Sequence, residues 1–555
     1  MSTDISTLAS TFVDETVSAD PVLATQLGVP GFDHLWPDYT TAGAERIRDM
    51  LVSQASRLGT VPATGDPWDR LAVSVIDTAL DDGLEWFTHD DHLRDLNTIT
   101  SPLQDIREVF DHMDLSDAQG WANAAARLHG LPAAMSAYLS RLEDGRRRGI
   151  TVAKRQILEA ARQARVHAGD SSAFRGLLRQ YAESGIGDEG LAGRLAEGVA
   201  SAQQAFADAA AYLEDEYLPD AVERDAVGRD RYLRDARRFL GADLDPESTY
   251  EWGWDEVERL RSRMQEAAEQ ISPGAPLAGV LDLLQTDPSR SAPSQEAFRE
   301  LMLARLERAL ADLDGEHFDV PEPIRRLDVK MAPPGGHLGA YYVPPSEDYS
   351  RPGTVWWSFG EKQQIPLFDQ ISTAYHEGFP GHHLQAGIQQ ASAENLTRYQ
   401  KLLVWYPGTG EGWALYAEDV MEELGYLDTP DYLMGKLASE MLRACRVVID
   451  IGSHLELPIP DGQSFHPGEP WTFEAGVEML VDYAAQDRDT SVSEMHRYLG
   501  WPGQAIAYKV GQQAIRDLRA EQSARPGFDL KRFHARVLEI GSTGLDVLRA
   551  HVRTG

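Results

Sequence analysis

The sequence predicts a mainly α-helical protein carrying a small β-sheet, on three observations. Apolar residues recur at three- and four-residue spacing through long segments rich in Ala, Arg and Glu. Pro or Gly closes many of those segments. One stretch, Phe318 to Ser358, abandons the helical period for short β-prone runs. At 555 residues the chain exceeds the usual size of one hydrophobic core. A large helical body with two lobes, or two poorly separated domains, is therefore expected. The 42% hydrophobic content and 12 Trp supply a sizeable core and exclude global disorder.

Taken in order, Thr40 to Leu58, Pro132 to Arg147, Val152 to His167, Gly190 to Tyr217 and Trp254 to Ile271 read as helices. No fixed-period repeat or long low-complexity tract interrupts them. From Phe318 to Ser358 the punctuation is Pro321, Pro323, Pro333, Pro334, Pro344, Pro345 and Pro352, with Gly335, Gly336, Gly339 and Gly353. Between these, Ala340 to Val343 and Thr354 to Trp357 predict a two- or three-stranded sheet. Helical pattern resumes at about Asp369 and continues to the C-terminus, broken by a Pro- and Gly-rich loop from Pro458 to Pro470. The change of texture divides the chain into an N-terminal helical region, 1–315, and a region 316–555 holding the sheet and the main motif. The two are expected to form one continuous body.

The 52 Lys+Arg against 88 Asp+Glu leave a formal charge of -36. Such a field repels phosphate backbones and anionic lipid surfaces, which excludes nucleic acid and membranes as expected partners. Met1 to Asp20 has neither the basic nor the apolar segment of a secretory signal. No apolar run approaches the roughly 20 residues needed to cross a bilayer, so a cytoplasmic location is expected. Cys445, the only cysteine, lies among Leu442, Ala444, Val447 and Val448 and reads as a core thiol.

The chemistry concentrates in His376-Glu377-Gly378-Phe379-Pro380-Gly381-His382-His383. In the His-Glu-x-x-His motif two imidazoles at i and i+4 share a helix face and reach one Zn2+, and the Glu takes a proton from water. Here Pro380 stands at i+4, and the next histidines are at i+6 and i+7. On an unbroken helix, residues seven apart lie about 10 Å apart along the axis, too far for two imidazoles to share an ion. Pro380 removes the amide that would bond the His376 carbonyl, and Gly378 and Gly381 admit unusual backbone conformations. The helix is therefore expected to bulge or break between Glu377 and His382. Deleting Gly378-Phe379 restores the standard spacing with His382, which favours His382 over His383 as second ligand.

A catalytic zinc site needs a third protein ligand. Glu411 and Glu418 lie seven apart in Gly408-Thr409-Gly410-Glu411-Gly412-Trp413-Ala414-Leu415-Tyr416-Ala417-Glu418 and share a helix face. Glu411 is taken as the ligand, because the glycines permit close approach, and Glu418 as the group that orients a ligand His. Thr429-Pro430 predicts the start of a helix running towards Leu457. Arg443, Arg446, Asp450 and His454 form a narrow stripe on it, either a buried polar network or cavity lining, or one solvent-facing edge. Pro502-Gly503 predicts a helix with Gln504, Tyr508, Gly511 and Gln512 on one side. Tyr508 reads either as a packed aromatic or as a donor to an oxyanion.

These residues resemble a bacterial family known as domain of unknown function 885. The resemblance rests on Tyr375 followed by His376 to Gln385. It extends to Ala24 to Gly28, Glu216 to Pro219, Tyr250 to Gly253, Tyr341-Tyr342 with Pro344 to Ser346, Ser350 to Gly353, Glu411 to Tyr416, the Arg443 to His454 segment, and Pro502 to Ala505 with Tyr508 and Lys509. Family members look like relatives of the helical gluzincin peptidases. That implies a helical body divided by a deep cleft, with one zinc held by two His and one Glu. It also implies an edge strand that pairs with extended substrate, for which Ala340 to Val343 is the candidate, with Tyr341 and Tyr342 lining the cleft. The departure from those relatives is the two-residue expansion between His376 and His382.

The sequence thus leads to the expectation of a zinc metallohydrolase, a metallopeptidase acting on peptides or small amides. Its metal ligands would be His376, His382 and Glu411, and Glu377 its general base. Tyr508, with His454 or an arginine of the Arg443–Arg446 pair, would stabilise the oxyanion. Arg443 or Arg446 would alternatively hold a substrate carboxylate, with Gln504 a further substrate contact. The rival readings are a metal-dependent biosynthetic enzyme acting on a non-peptide small molecule, and a non-catalytic helical protein with a structural metal site.

Overall fold

The computed structural model describes residues 4–62, 65–332, 339–346, 349, 351–360, 362–392 and 395–554. Pro333, Pro334, Gly335, Gly336 and Ser350 lie outside the described residues. The expected class holds: the chain is mainly helical with small sheets. Two compact units are distinguishable, Met1–Val227 with Leu499–Trp501, and Gly228–Tyr498 with Pro502–Gly555. The change of texture near 315 falls within the second unit. Among the described residues no helix is long and apolar enough to cross a membrane.

The first unit is built on Ala118–Arg147, Lys154–Ala168 and Glu189–Tyr212. Trp121, Leu128, Met135, Tyr138, Leu195 and Phe206 are buried in its core. The first of these helices was expected to start at Pro132, but it begins at Ala118 and passes through the proline. Asp117 caps it by accepting from the Gly120 amide at 2.8 Å. Burial of Trp121, Leu128 and Leu131 on one face holds the turn whose hydrogen bond the proline removes.

In the second unit α1 (Pro246–Ile271) starts earlier than the Trp254 expected from its period, because Asp245 caps it and Pro246 takes the first position. A three-stranded sheet follows, of β1 (Leu327–Met331), β2 (Gly339–Val343) and β3 (Gly353–Ser358). Its order is β1-β3-β2, with β1 parallel and β2 antiparallel to β3. The sequence-predicted runs are β2 and β3, and β2 occupies an edge. Then come α2 (Gln370–Glu377), α3 (His382–Ala391), α4 (Pro407–Glu423), α5 (Pro430–Leu455) and α6 (Ala507–Ser523). Thr429 caps α5 as expected, accepting from the Tyr432 amide at 3.3 Å. Pro502-Gly503 was expected to open α6, but residues 502–506 form turns and the helix begins at Ala507.

Backbone contact fixes α4 against α6. A Cβ on Gly412 would fall 2.5 Å from the Gly511 carbonyl carbon, and one on Gly511 would fall 1.8 Å from the Gly408 oxygen. A buried charge network ties these helices to α1 and α5. Lys509 donates to Glu440 at 2.5 Å and to Gln512 at 2.9 Å, and pairs with Glu256 at 2.8 Å. Lys436 donates to Asp419 and Glu422, both at 2.7 Å, and Arg516 to Asp419 at 2.8 Å. Further along α5, fully buried Asp450 accepts from the Tyr232 hydroxyl at 2.7 Å and the Gly503 amide at 2.9 Å. Burial pushes its carboxyl up to about 7, although both hydrogen bonds pull the other way. Cys445 is a buried free thiol, as expected.

Removing one member of a buried, paired network leaves its partners uncompensated. Lys509→Met is expected to cost about 3–5 kcal/mol in denaturant unfolding. For Asp450, the folded state holds its proton more tightly than the unfolded state. Its contribution to stability is therefore present below about pH 4 and lost as pH rises towards 7. Asp450→Asn should flatten the decline of Tm between pH 5 and pH 8; an unchanged slope would contradict the assignment.

Candidate metal centre

The helix breaks where the sequence predicts. α2 ends at Glu377, α3 begins at His382, and residues 378–381 between them include a cis Phe379–Pro380 peptide. The Gly378 amide closes α2 on the Ala374 carbonyl at 2.8 Å, and the Gly381 amide returns to Tyr375 at 3.0 Å. The His383 amide then reaches the Gly378 carbonyl at 3.1 Å. The Pro380 carbonyl accepts from the Trp413 indole of α4 at 2.9 Å. Both glycines leave the helical conformation at the break as expected, Gly378 at φ −92°, ψ −133° and Gly381 at φ −76°, ψ −125°. Neither Gly378 nor Gly381 takes positive φ; what they supply is room, since a Cβ on Gly381 would lie 1.9 Å from the His376 oxygen.

This turn brings the His376 and His382 rings to 5.0 Å between centroids, nearly perpendicular. Glu411, in the first turns of α4, completes the cluster. Its Oε2 lies 3.3 Å from His376 Nε2 and 3.5 Å from His382 Nε2. One ligand atom from each residue lies within 4.8 Å of the other two. The remaining ring nitrogens are held from behind. His376 Nδ1 donates to Glu418 at 2.9 Å, whose other oxygen accepts from Ser372. His382 Nδ1 lies 3.4 Å from Gln385 Oε1. Glu418 therefore orients an imidazole, in the position expected of it. His383 stays outside the cluster: its Nε2 donates to the Ile324 carbonyl at 2.7 Å and its Nδ1 accepts from Tyr342 at 3.0 Å. Burial lowers its pKa to about 4, so it is a neutral packing residue.

The electrostatics favour a cation. Burial works against protonating His376, yet its hydrogen bonds to Glu411 and Glu418 push its pKa up to about 10. Burial acts on Glu411 too, but the two imidazoles hold its carboxyl well below the usual range. Two imidazole nitrogens and one carboxylate oxygen, two of them backed by second hydrogen bonds, match the donor set of a catalytic zinc site. Glu377 is half-buried beside them. Burial raises its carboxyl and Glu411 adds to the effect, while the imidazoles and Arg443 oppose it.

The cluster opens into a cavity of about 410 Å³, lined further by Glu377, Ala340, Tyr341, Tyr342, Arg443, Arg446 and Tyr508. Three of the four β2 residues expected to face substrate are thus at the site. The stripe on α5 divides. Arg443 and Arg446 line the cavity, whereas Asp450 and His454 are buried away from it, so none of the stripe forms a solvent-facing edge. His454 does not join the site: its Nε2 donates to the Tyr498 carbonyl at 3.0 Å, its ring packs on Tyr232, and burial lowers its pKa to about 4. Gln504 is also absent from the lining and accepts from Arg497 at 2.5 Å. Trp405 is the residue sequence reasoning missed. It lines the cavity with its ring 6.1 Å from His382; its one signal was an aromatic pair, Trp405-Tyr406, just ahead of the glycine-rich start of α4.

Comparison with known proteins agrees with this architecture. A solved structure from Colwellia psychrerythraea, described as a "putative lipoprotein", superposes with a TM-score of 0.84 at 23% identity, covering 99% of this chain and 98% of that one. A second, from Shewanella oneidensis and described as a "putative lipoprotein of unknown function", gives 0.75 at 17% identity with 99% of both chains covered. At these identities the likeness is one of fold. No curated protein matches the chain. Residues 21–552 match the family described as "Bacterial protein of unknown function (DUF885)", and the chain belongs to that family.

Proposed function

We propose that the protein is a zinc-dependent hydrolase of peptides or small amides. The observation that carries this reading is a half-buried glutamate, Glu377, set beside a two-histidine, one-glutamate cluster at the wall of a cavity. A zinc ion held by His376, His382 and Glu411 would supply Lewis acidity, acidifying a water and polarising the substrate carbonyl. Glu377, at the wall of the cavity beside the cluster, accepts the proton of the attacking water and passes it to the leaving nitrogen. Tyr508 offers its hydroxyl to the developing oxyanion. The edge strand β2 offers backbone groups to an extended substrate. The same ligand types on a helical framework support the resemblance to helical gluzincin peptidases. A purely structural ion has no use for Glu377, which weighs against the non-catalytic reading.

Metal content and turnover of a mixed peptide library test this together. The wild type and Glu377→Gln should both retain about one zinc, with turnover in the variant falling about 10²–10⁴-fold. His382→Ala should lose the ion and His383→Ala should keep it, because His383 spends both nitrogens on protein partners. Glu418→Gln should weaken zinc binding about 10–100-fold. Absence of stoichiometric metal from the wild type, or full activity in Glu377→Gln, would refute the proposal.

A further inference from the structure

The cavity carries a cationic corner for which water activation has no use. Arg446 is committed there: it donates to Glu494 at 2.8 Å and to the Tyr498 hydroxyl at 3.1 Å, and lies 4.9 Å over the Tyr508 ring. Arg497 donates to the same Glu494 at 3.1 Å and also faces the Tyr508 ring. Two guanidinium groups thus share one carboxylate. Arg443 adds a third charge and lines the cavity itself. Its Nη1 donates to the Ser439 carbonyl at 2.8 Å and its Nε is buried without a partner; among the described residues no carboxylate lies within ion-pair distance of it, although Glu377 in the same cavity feels its charge. In a chain of net charge -36, a half-buried excess of guanidinium is costly unless an anion completes it. A carboxylate entering the cavity would find a planar donor not yet saturated.

A second observation concerns the apolar part of the lining. Trp405 is 50% exposed and Tyr341 41% exposed, among the few large hydrophobic side chains left open. Both line this cavity, and Tyr341 is stacked on Trp356 at an interplanar angle of 7°. Aromatic side chains partly exposed around a concave site with a few polar groups are the usual lining for a small ligand. The volume of about 410 Å³ lies near the low end of the ~300–1,000 Å³ typical of such pockets.

We infer that the cavity recognises a short compound bearing a free carboxylate and an aromatic or large apolar side chain, such as the C-terminal residue of a peptide. Arg443 binds the carboxylate, and Trp405 with Tyr341 covers the side chain. Cleavage of such a compound, next to the C-terminus of short peptides, rests on the hydrolase reading above; recognition of the ligand does not depend on turnover.

Titration calorimetry of the full chain as purified, with 3-phenylpropionate and 3-phenylpropionamide, tests the subsite without turnover. The acid should bind at least about tenfold more tightly than the amide. Arg443→Gln should bring the two within about threefold, and Arg443→Lys, which keeps the charge but not the fork, should fall between. Trp405→Ala should weaken both compounds by a similar factor. Equal binding of acid and amide by the wild type overturns the inference, even if the variants fail to fold. So does an acid preference that survives in Arg443→Gln, which would place the carboxylate on another group such as a bound ion. Benzoyl-Gly-Phe and its amide separate the two proposals. Acid-selective binding with no cleavage of either supports the subsite and refutes hydrolysis next to the C-terminus, whereas equal cleavage of both supports the hydrolase and refutes the subsite.

Discussion

Between Glu377 and His382 the chain leaves the helix for four residues and re-enters it, and the Trp413 indole holds the Pro380 carbonyl at 2.9 Å in the middle of that excursion. Without the excursion, His376 and His382 could not face a common point, since an intact helix would separate them by most of two turns. With it, the rings stand 5.0 Å apart. The clamp comes from α4, which also supplies Glu411 to the cluster and Glu418 to the back of His376. One helix therefore fixes the turn, completes the ligand set and orients a histidine, so its placement governs all three distances.

That placement rests on close packing and on charge. The glycine contacts between α4 and α6 leave no space for a side chain, so the two axes cannot drift apart or slide without losing backbone contact. The Lys436, Lys509 and Arg516 network anchors the same helices to α1 and α5 through directional bonds. Such a network contributes little net stability compared with an apolar core, and its value lies in penalising any arrangement that leaves a charge unpaired. It also sets Lys509 next to Tyr508 on α6, which ties the cavity-lining tyrosine to the most constrained part of the unit.

Charge is distributed against the average of the molecule. The chain is strongly acidic, yet Arg446 and Arg497 share a single carboxylate, Glu494, while Arg443 lines the cavity beside Arg446. The carboxylates Glu377, Glu411 and Glu418 gather at the other functional group of the same site. A cation is favoured at one and an anion at the other, each in surroundings where burial strengthens the interaction.

Much of the centre was legible in the linear sequence, because it depends on short-range spacing. The proline at the usual ligand position, the two flanking glycines and the seven-residue interval between Glu411 and Glu418 were enough to predict a broken helix and the grouping of His376, His382 and Glu411. Capping by Thr429 and the sheet runs at residues 340–343 and 354–357 followed from local chemistry as well. Spacing favoured His382 over His383, and tertiary contacts supply the reason that His383 stays out: the Ile324 carbonyl and the Tyr342 hydroxyl, 59 and 41 residues away, occupy it. They also decided that a single helical stripe would divide between cavity and interior, since Tyr232, Tyr498 and Gly503 claim Asp450 and His454. Helical periodicity places residues on one face, but it cannot say what that face meets along its length, and at this site the meeting partners determine the chemistry.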